Sequence, residues 1–302
     1  MSKIVLGTEQ AEDFDLTYAL LKRLRFANAA LAVAHVIEPV HPAALAVSQD
    51  AAYALAQDLE RILEAAQKHA DSVLNHAAAA MKEDGIEAEI QALKGHRVDE
   101  LLKYCESVDA DLIAVGSESK GPIASVLFGS VSRAIAQHAK RSLLVAKKGK
   151  ENGSLHAVLA TDHSKYMDRC LDELLRLHPT GIGRLDIITA FRGEDYLQKH
   201  SLGEMPVTGI DVLERIEREL QEANERVRQK LKSLAPTIHS EVVRDAAIPV
   251  ITKHMKESDA DLLIVGAHGH SAVERLLLGS VSHHMVAAEP FPLLLLRPKG
   301  EG

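Results

Sequence analysis

The chain has no tryptophan and only five phenylalanines and five tyrosines in 302 residues, so its cores must be built from Ala, Leu, Ile and Val. Cysteine is almost as scarce. Cys105 and Cys170 stand far apart and without metal-type spacing, which argues against a disulfide framework or a thiolate zinc site and makes a reducing cytoplasm the expected setting. No stretch approaches the ~20 consecutive apolar residues of a membrane span. The amino-terminal apolar run, Ile4 to Gly7, is too short for a secretory signal. Basic charge is also in deficit, giving a net charge of −8. That balance argues against non-specific nucleic-acid binding, which runs on basic contacts to phosphate, and offers no attraction to an anionic membrane. What remains is an ordinary globular composition, 46% apolar and 26% charged, at a length expected for about two domains.

The sequence repeats itself. VGSESKGPIASVLFGSVS at 115–132 returns as VGAHGHSAVERLLLGSVS at 265–282, and DADLIAVG at 109–116 returns as DADLLIVG at 259–266. Near the start of each copy IVLGTEQ matches AVLATDHS, with Thr8 opposite Thr161 and Glu9 opposite Asp162. A spacing near 150 residues marks a duplicated domain rather than a solenoid, whose repeats run ~20–50 residues. The polar stretch KKGKENGS at 147–154 reads as the joint, giving expected domains at 1–149 and 154–302.

In each copy short apolar runs alternate with longer amphipathic stretches. The first copy reads as strand IVLG, helix 11–25, strand 30–36, helix ~50–83, strand 86–93, helix 97–107, strand DLIAVG, helix 130–139 and strand 142–147. The second repeats the plan, with a long helix over 211–235. Alternation of this kind predicts an α/β fold: two tandem, doubly wound, five-stranded parallel sheets with helices on both faces. DLIAVG, DLLIVG and PLLLLR are nearly unbroken apolar runs, as strands buried on both sides require. The last strands, SLLVAK and PLLLLR, would be hazardous as open edges. They are expected to pair with each other, an intramolecular pseudo-dimer, and a homodimer of whole chains also stays open.

In such sheets ligands bind beyond the carboxyl ends of the strands, where Gly116 and Gly266 stand. In the second copy the strand ending Val265-Gly266 leads through His268, Gly269 and His270 to Gly279-Ser280-Val281-Ser282, which opens a helix. The first-turn N–H groups of a helix and its dipole form an anion site. Gly279 would let a phosphate approach the backbone, and Ser280 could cap the helix or donate its hydroxyl. This is neither a Walker loop nor the tight dinucleotide glycine motif, and on spacing alone structural turns remain an equal reading. Asp162, closing the first strand of its copy, would face the same crevice and accept hydrogen bonds from a ribose or an adenine amine. The plainer alternative is that Asp162 or Ser164 caps the next helix.

With Gly266-x2-Gly269-x9-Gly279-Ser280 and Asp162 in TDHS together, the chain resembles the universal stress protein family in its tandem form, over nearly its whole length. The resemblance implies adenine nucleotide, ATP or AMP, as ligand of the second domain. Gly266, Gly269, Gly279, Ser280 and Val281 would hold phosphates, Asp162 the ribose or base, and backbone near Ala190 the adenine. Mg²⁺ would bridge the phosphates. Thr161, Val265, His268, His270 and Ser282 complete the expected site. The first copy departs from the pattern: Glu9 replaces the Asp, and its loop reads Gly116-x2-Ser119-x9-Gly129-Ser130. If position 119 needs a positive φ, Ser costs ~1–2 kcal/mol there, and 1.4 kcal/mol is tenfold in affinity. The first site is therefore expected to be degenerate. Asp245 also departs, standing where the family often has Gly.

No catalytic residue emerges. Asp162-His163-Ser164 are sequence neighbours and cannot converge as a nucleophile relay. His163, His268, His270, His283 and His284 crowd the loop, but their spacing and the lack of Cys argue against zinc; contact of His268 or His270 with phosphate is an alternative. Three functions stay open: a cytoplasmic, ligand-dependent regulatory module whose protein partner the sequence does not name; a slow ATP hydrolase or autophosphorylating protein, with Ser280 or Ser282 accepting phosphate; or a carrier of another small or acyl-bearing ligand in an apolar first-half cavity.

Overall fold

The computed structural model describes residues 1–39, 49–117, 129–150, 153–193, 210–269 and 278–300. The first half runs β1 (Ser2–Gly7), α1 (Ala11–Leu24), β2 (Ala29–Ile37), α2 (Gln49–Glu83), β3 (Glu89–Lys94), α3 (Arg97–Ser107), β4 (Leu112–Gly116), α4 (Ser130–His138) and β5 (Ser142–Ala146). The second half runs β6 (Leu155–Ala160), α5 (Lys165–Leu177), β7 (Ile182–Ala190), α6 (Ile210–Lys230), β8 (Thr237–Val243), α7 (Ala247–Glu257), β9 (Leu262–Gly266), α8 (Ser280–Ala288) and β10 (Leu293–Leu296). The strand expected from residue 86 begins at Glu89 instead. Gly85 takes φ +72° and Ile86 N–H returns to the Met81 carbonyl, so residues 86–88 are used in leaving α2, a left-handed helix ending.

Each half is a parallel sheet, and the two halves form one ten-stranded sheet of order β3-β2-β1-β4-β5-β10-β9-β6-β7-β8. The junction is the pairing expected from the apolar final strands: β5 and β10 run antiparallel, with Leu294 opposite Leu144. Because the halves meet antiparallel, the carboxyl ends of their strands point to opposite rims of the sheet. Any sites at those ends lie at opposite ends of the molecule.

Both faces of the sheet carry core that crosses the junction. On one face Phe14 and Leu24 of α1, Met81 of α2, Leu171 and Leu174 of α5 and Leu231 just beyond α6 form one cluster. On the other, Leu101 and Cys105 of α3, Ile135 of α4, Ile251 and Met255 of α7 and Met285 of α8 form the second. Burial of aliphatic side chains contributes ~25 cal/mol per Å² removed from water, and here it is shared by both halves.

A second, polar dock repeats with pseudo-twofold symmetry. Helices α1 and α5 both end in non-glycine residues with left-handed backbone, Arg25 at φ 51° and His178 at φ 50°. The Arg25 carbonyl accepts from Thr180 N–H, and the His178 carbonyl accepts from Ala27 N–H, so the strained helix ends face each other. Arg23 reaches Asp261 at 3.3 Å, with side chains only 9% and 4% exposed, while Arg176 reaches Asp111 at 3.0 Å. These two aspartates are the second Asp of each DAD repeat. Each also accepts a strand N–H of its own half, Lys3 to Asp111 and His156 to Asp261. Burial pushes the Asp111 carboxyl up, but the bonds from Lys299 and Lys3 N–H and the Arg176 charge outweigh it and leave its pKa below the ordinary value.

Candidate functional site

The carboxyl ends of β6, β7 and β9 open onto a cavity of about 500 Å³. Its floor includes Ala160, Thr161, Asp162, Ala190, Val265 and Gly266, and its loop side His268, Gly269, Gly279, Ser280, Val281 and Ser282. The structure thus gathers most residues the sequence pointed to. His270 and Ser119 lie outside the described residues.

The two ends of the loop close on one another. Gly279 N–H donates to the Ala267 carbonyl at 2.8 Å. A Cβ at 279 would stand 3.3 Å from the Gly269 nitrogen and 3.5 Å from the His268 Cα. Gly279 is bare because backbone passes against it. It is also the N-cap of α8, with φ −60° and no side chain capping the helix. The expected cap by Ser280 does not occur, since Ser280 is the first helical residue. Its counterpart α4 likewise has a glycine, Gly129, as N-cap and no side-chain cap, whereas α5 is capped by Ser164, whose hydroxyl accepts Met167 N–H. Helix starts without a capping side chain leave first-turn N–H groups for other acceptors, on the side where the helix dipole is positive.

The remaining side chains divide into frame and rim. Ser282 is buried and donates to the Gly266 carbonyl at 2.5 Å, as Ser132 does to Gly116 at 3.1 Å. This hydroxyl ties each helix to its strand and is already engaged, which works against Ser282 as phosphate acceptor. Thr161 is buried and its hydroxyl accepts His163 N–H. Asp162 Oδ1 accepts Ser164 N–H at 3.0 Å, while Oδ2 lies 3.2 Å from where a Cβ on Gly269 would be. Gly269 does not adopt a positive φ. The handedness penalty expected for Ser119 therefore does not follow from its counterpart; a side chain at 269 would instead meet Asp162. His163 Nε2 lies 3.0 Å from the Thr189 hydroxyl, which donates to Asn224 at 2.7 Å. The His268 ring packs edge-on against Tyr166 at 5.0 Å, and His284 faces Glu289. Among the described residues no three His, Cys, Asp or Glu converge on a metal position.

Sequence reading noted Asp245 but missed the rest of the far wall. Asp245, Ala246, Ala247, Ile248 and Pro249 at the start of α7, with Ile251, Phe191, Arg192 and Leu220, line the cavity opposite the loop. The signal was available: AAIPVI at 246–251 stands where the first copy has HRVDEL, an apolar helix start in place of a charged one.

The first-half counterpart is a cavity of about 270 Å³ lined by Glu9, Asp13, Arg97, Gly116, Gly129 and Ser130 among others. Ala34, Val36, Leu101, Val115, Val131 and Ile135 line it too, so its wall mixes charged and apolar groups. Glu9 Oε2 is held by Arg97 at 3.2 Å, and Glu38 by the same guanidinium at 3.1 Å.

Fold and site together define a tandem doubly wound α/β protein with a loop-to-helix cavity at the strand ends. Comparison with known proteins gives the family. The model of the Universal stress protein family matches residues 1–147 and 155–297, and the chain belongs to that family. Curated relatives include the universal stress proteins MJ0531 of Methanocaldococcus jannaschii, 30% identical over 91 residues covering 30% of this chain and 54% of the relative, and Rv2005c of Mycobacterium tuberculosis, 24% identical over 200 residues covering 63% of each. The chain thus spans about half to just under two thirds of the length of these relatives. Among solved structures, a universal stress protein from Archaeoglobus fulgidus superposes with a TM-score of 0.65 at 20% identity, covering 98% of both chains. At that identity the likeness speaks for the fold. No described helix is long and apolar enough to cross a membrane.

Proposed function

We propose that the second half binds an adenine nucleotide, ATP or AMP, and that the chain acts in the cytoplasm as a ligand-dependent regulatory module of the stress response. The observation that carries the reading is the start of α8: no side chain caps it, and it is folded against Gly269 at the edge of the 500 Å³ cavity. The N–H groups of the first turn and the helix dipole would receive phosphate there. The apolar start of α7 gives the base a wall, and the ends of β6 and β7 offer Asp162 to the ribose and main chain near Ala190 to the adenine. Oxygen donors at the rim, the Asp162 carboxylate and the Ser280 hydroxyl, suit a hard cation such as Mg²⁺ accompanying a triphosphate.

The test is calorimetric titration with ATP, AMP, GTP and inorganic phosphate, run beside a turnover assay with radiolabelled ATP. Saturable adenylate binding at one site per chain without turnover supports the regulatory reading. Turnover lost in Ser280→Ala would move the protein to the hydrolase class. Absence of adenylate binding would end the proposal.

A further inference from the structure

The chain carries the fold twice but offers two different cavities. Building on the reading of the second cavity as a nucleotide site, we propose that Arg97 bars a nucleoside from the first one and so makes this a one-nucleotide protein.

Helices α3 and α7 begin at Arg97 and Ala247, residues 150 apart in the repeat. In the second half the methyl of Ala247 leaves the cavity continuous from the loop to the end of β7 and the start of α7. In the first half the Arg97 guanidinium spans the ends of β1 and β2, with Nη1 on Glu9 at 3.2 Å and Nε on Glu38 at 3.1 Å. The remaining 270 Å³ retains the phosphate end, with Gly116, Gly129 and Ser130, but along the start of α3 only Arg97 and Leu101 line it. That volume falls below the ~300–1,000 Å³ of ordinary ligand pockets. What the first half lacks along α3 is a counterpart of the wall that Ala246, Ile248 and Pro249 give the second cavity, while Glu9, Ala34 and Val36 still line the smaller one. Glu9, the counterpart of Asp162, is also engaged by a cation through Oε2.

The strap can be cut without harming the fold. Arg97, Glu9 and Glu38 are each partly exposed, and exposed pairs contribute little to stability. Arg97→Ala reproduces the residue found at the matched position of the second half.

The experiment is calorimetric titration of ATP and AMP into the full chain, with circular dichroism melts checking that each variant is folded. Wild type takes one nucleotide and Arg97→Ala takes two. Gly279→Val takes none, and Gly279→Val with Arg97→Ala takes one, at the first half. A stoichiometry of one for folded Arg97→Ala overturns the proposal. So does a second site gained by Ser119→Gly alone while Arg97→Ala gains none, because the loop would then be the barrier. If Gly279→Val still binds like wild type, the assignment to the second half fails. If the double variant nonetheless gains a site over Gly279→Val, the role of Arg97 stands by itself.

Discussion

Replacing Gly279 with valine should separate ligand binding from folding. In the native turn a Cβ at 279 already sits 3.3 Å from the Gly269 nitrogen and 3.6 Å from the Ala267 carbonyl oxygen, and the two γ-methyls of valine extend further into the same backbone. The loop must open, and the Gly279 N–H bond to Ala267 goes with it. Nucleotide at 100 times its dissociation constant stabilises the wild type by ~2.7 kcal/mol. For a lone ~150-residue domain that is a midpoint rise of ~5–10 °C. The continuous sheet and the cores shared across β5 and β10 make the 302-residue chain the unit that melts. At ~2.1 cal/mol/K per residue its unfolding entropy is ~0.6 kcal/mol/K, so the expected rise is ~4 °C. Differential scanning calorimetry with and without ATP should show this single-transition shift in wild type and none in Gly279→Val. A variant that keeps the full shift would refute the argument, as would two separate transitions of which ligand moves only one by ~5–10 °C.

Other outcomes follow from the dock between halves and from the buried carboxylates. A side chain at Gly181 would collide with the Arg23 carbonyl oxygen, so Gly181→Ala should cost ~1–3 kcal/mol and lower the melting midpoint by ~2–5 °C. Asp261→Ala leaves Arg23 without its carboxylate in a nearly buried place and should cost ~3 kcal/mol by urea denaturation. Asp186 accepts from Arg184, His156 and His254. Burial would push its carboxyl up, but those bonds outweigh it and bring the pKa down to about 2. A depressed carboxylate contributes stability that is full above the unfolded pKa near 4 and lost as pH falls toward 2. Urea denaturation across pH 5 to 2 should therefore show Asp186→Asn lacking ~2 kcal/mol of the wild-type decline. Ser282→Ala should destabilise the fold by ~1 kcal/mol or more, read by urea denaturation, and leave phosphate-dependent binding in place.

The strands and helices were legible because both copies keep unbroken apolar strands and amphipathic helices, and the β5–β10 pairing followed from the hazard of an open apolar edge. The loop was legible as a spaced motif. The roles inside it were less so: Ser280, read as either a cap or a hydroxyl donor to phosphate, is the first residue of the helix rather than its cap, and Ser282, read as part of the site and an acceptor of phosphate in the autophosphorylating alternative, ties helix to strand. A motif names the residues near a site but not which hydroxyl the backbone consumes. The repeated DAD was visible as sequence, yet its second aspartate proved to receive an arginine from the other half. That geometry depends on two left-handed helix ends, at Arg25 and His178, that no local pattern announces. The bridging of Glu9 and Glu38 by Arg97 was hidden for the same reason, because the three meet only when β1, β2 and α3 converge.

The central claim is that the second-half cavity grips nucleotide phosphate through main-chain N–H groups at the start of α8. A crystal structure of the chain grown with AMP tests it most directly. The account predicts phosphate oxygens within hydrogen-bonding distance of the nitrogens of Ser280 and Val281, the base against Ala247 and Ile248, and the first-half cavity without nucleotide. Adenylate bound in the first half, or held in the second with its phosphate turned away from α8, would contradict it.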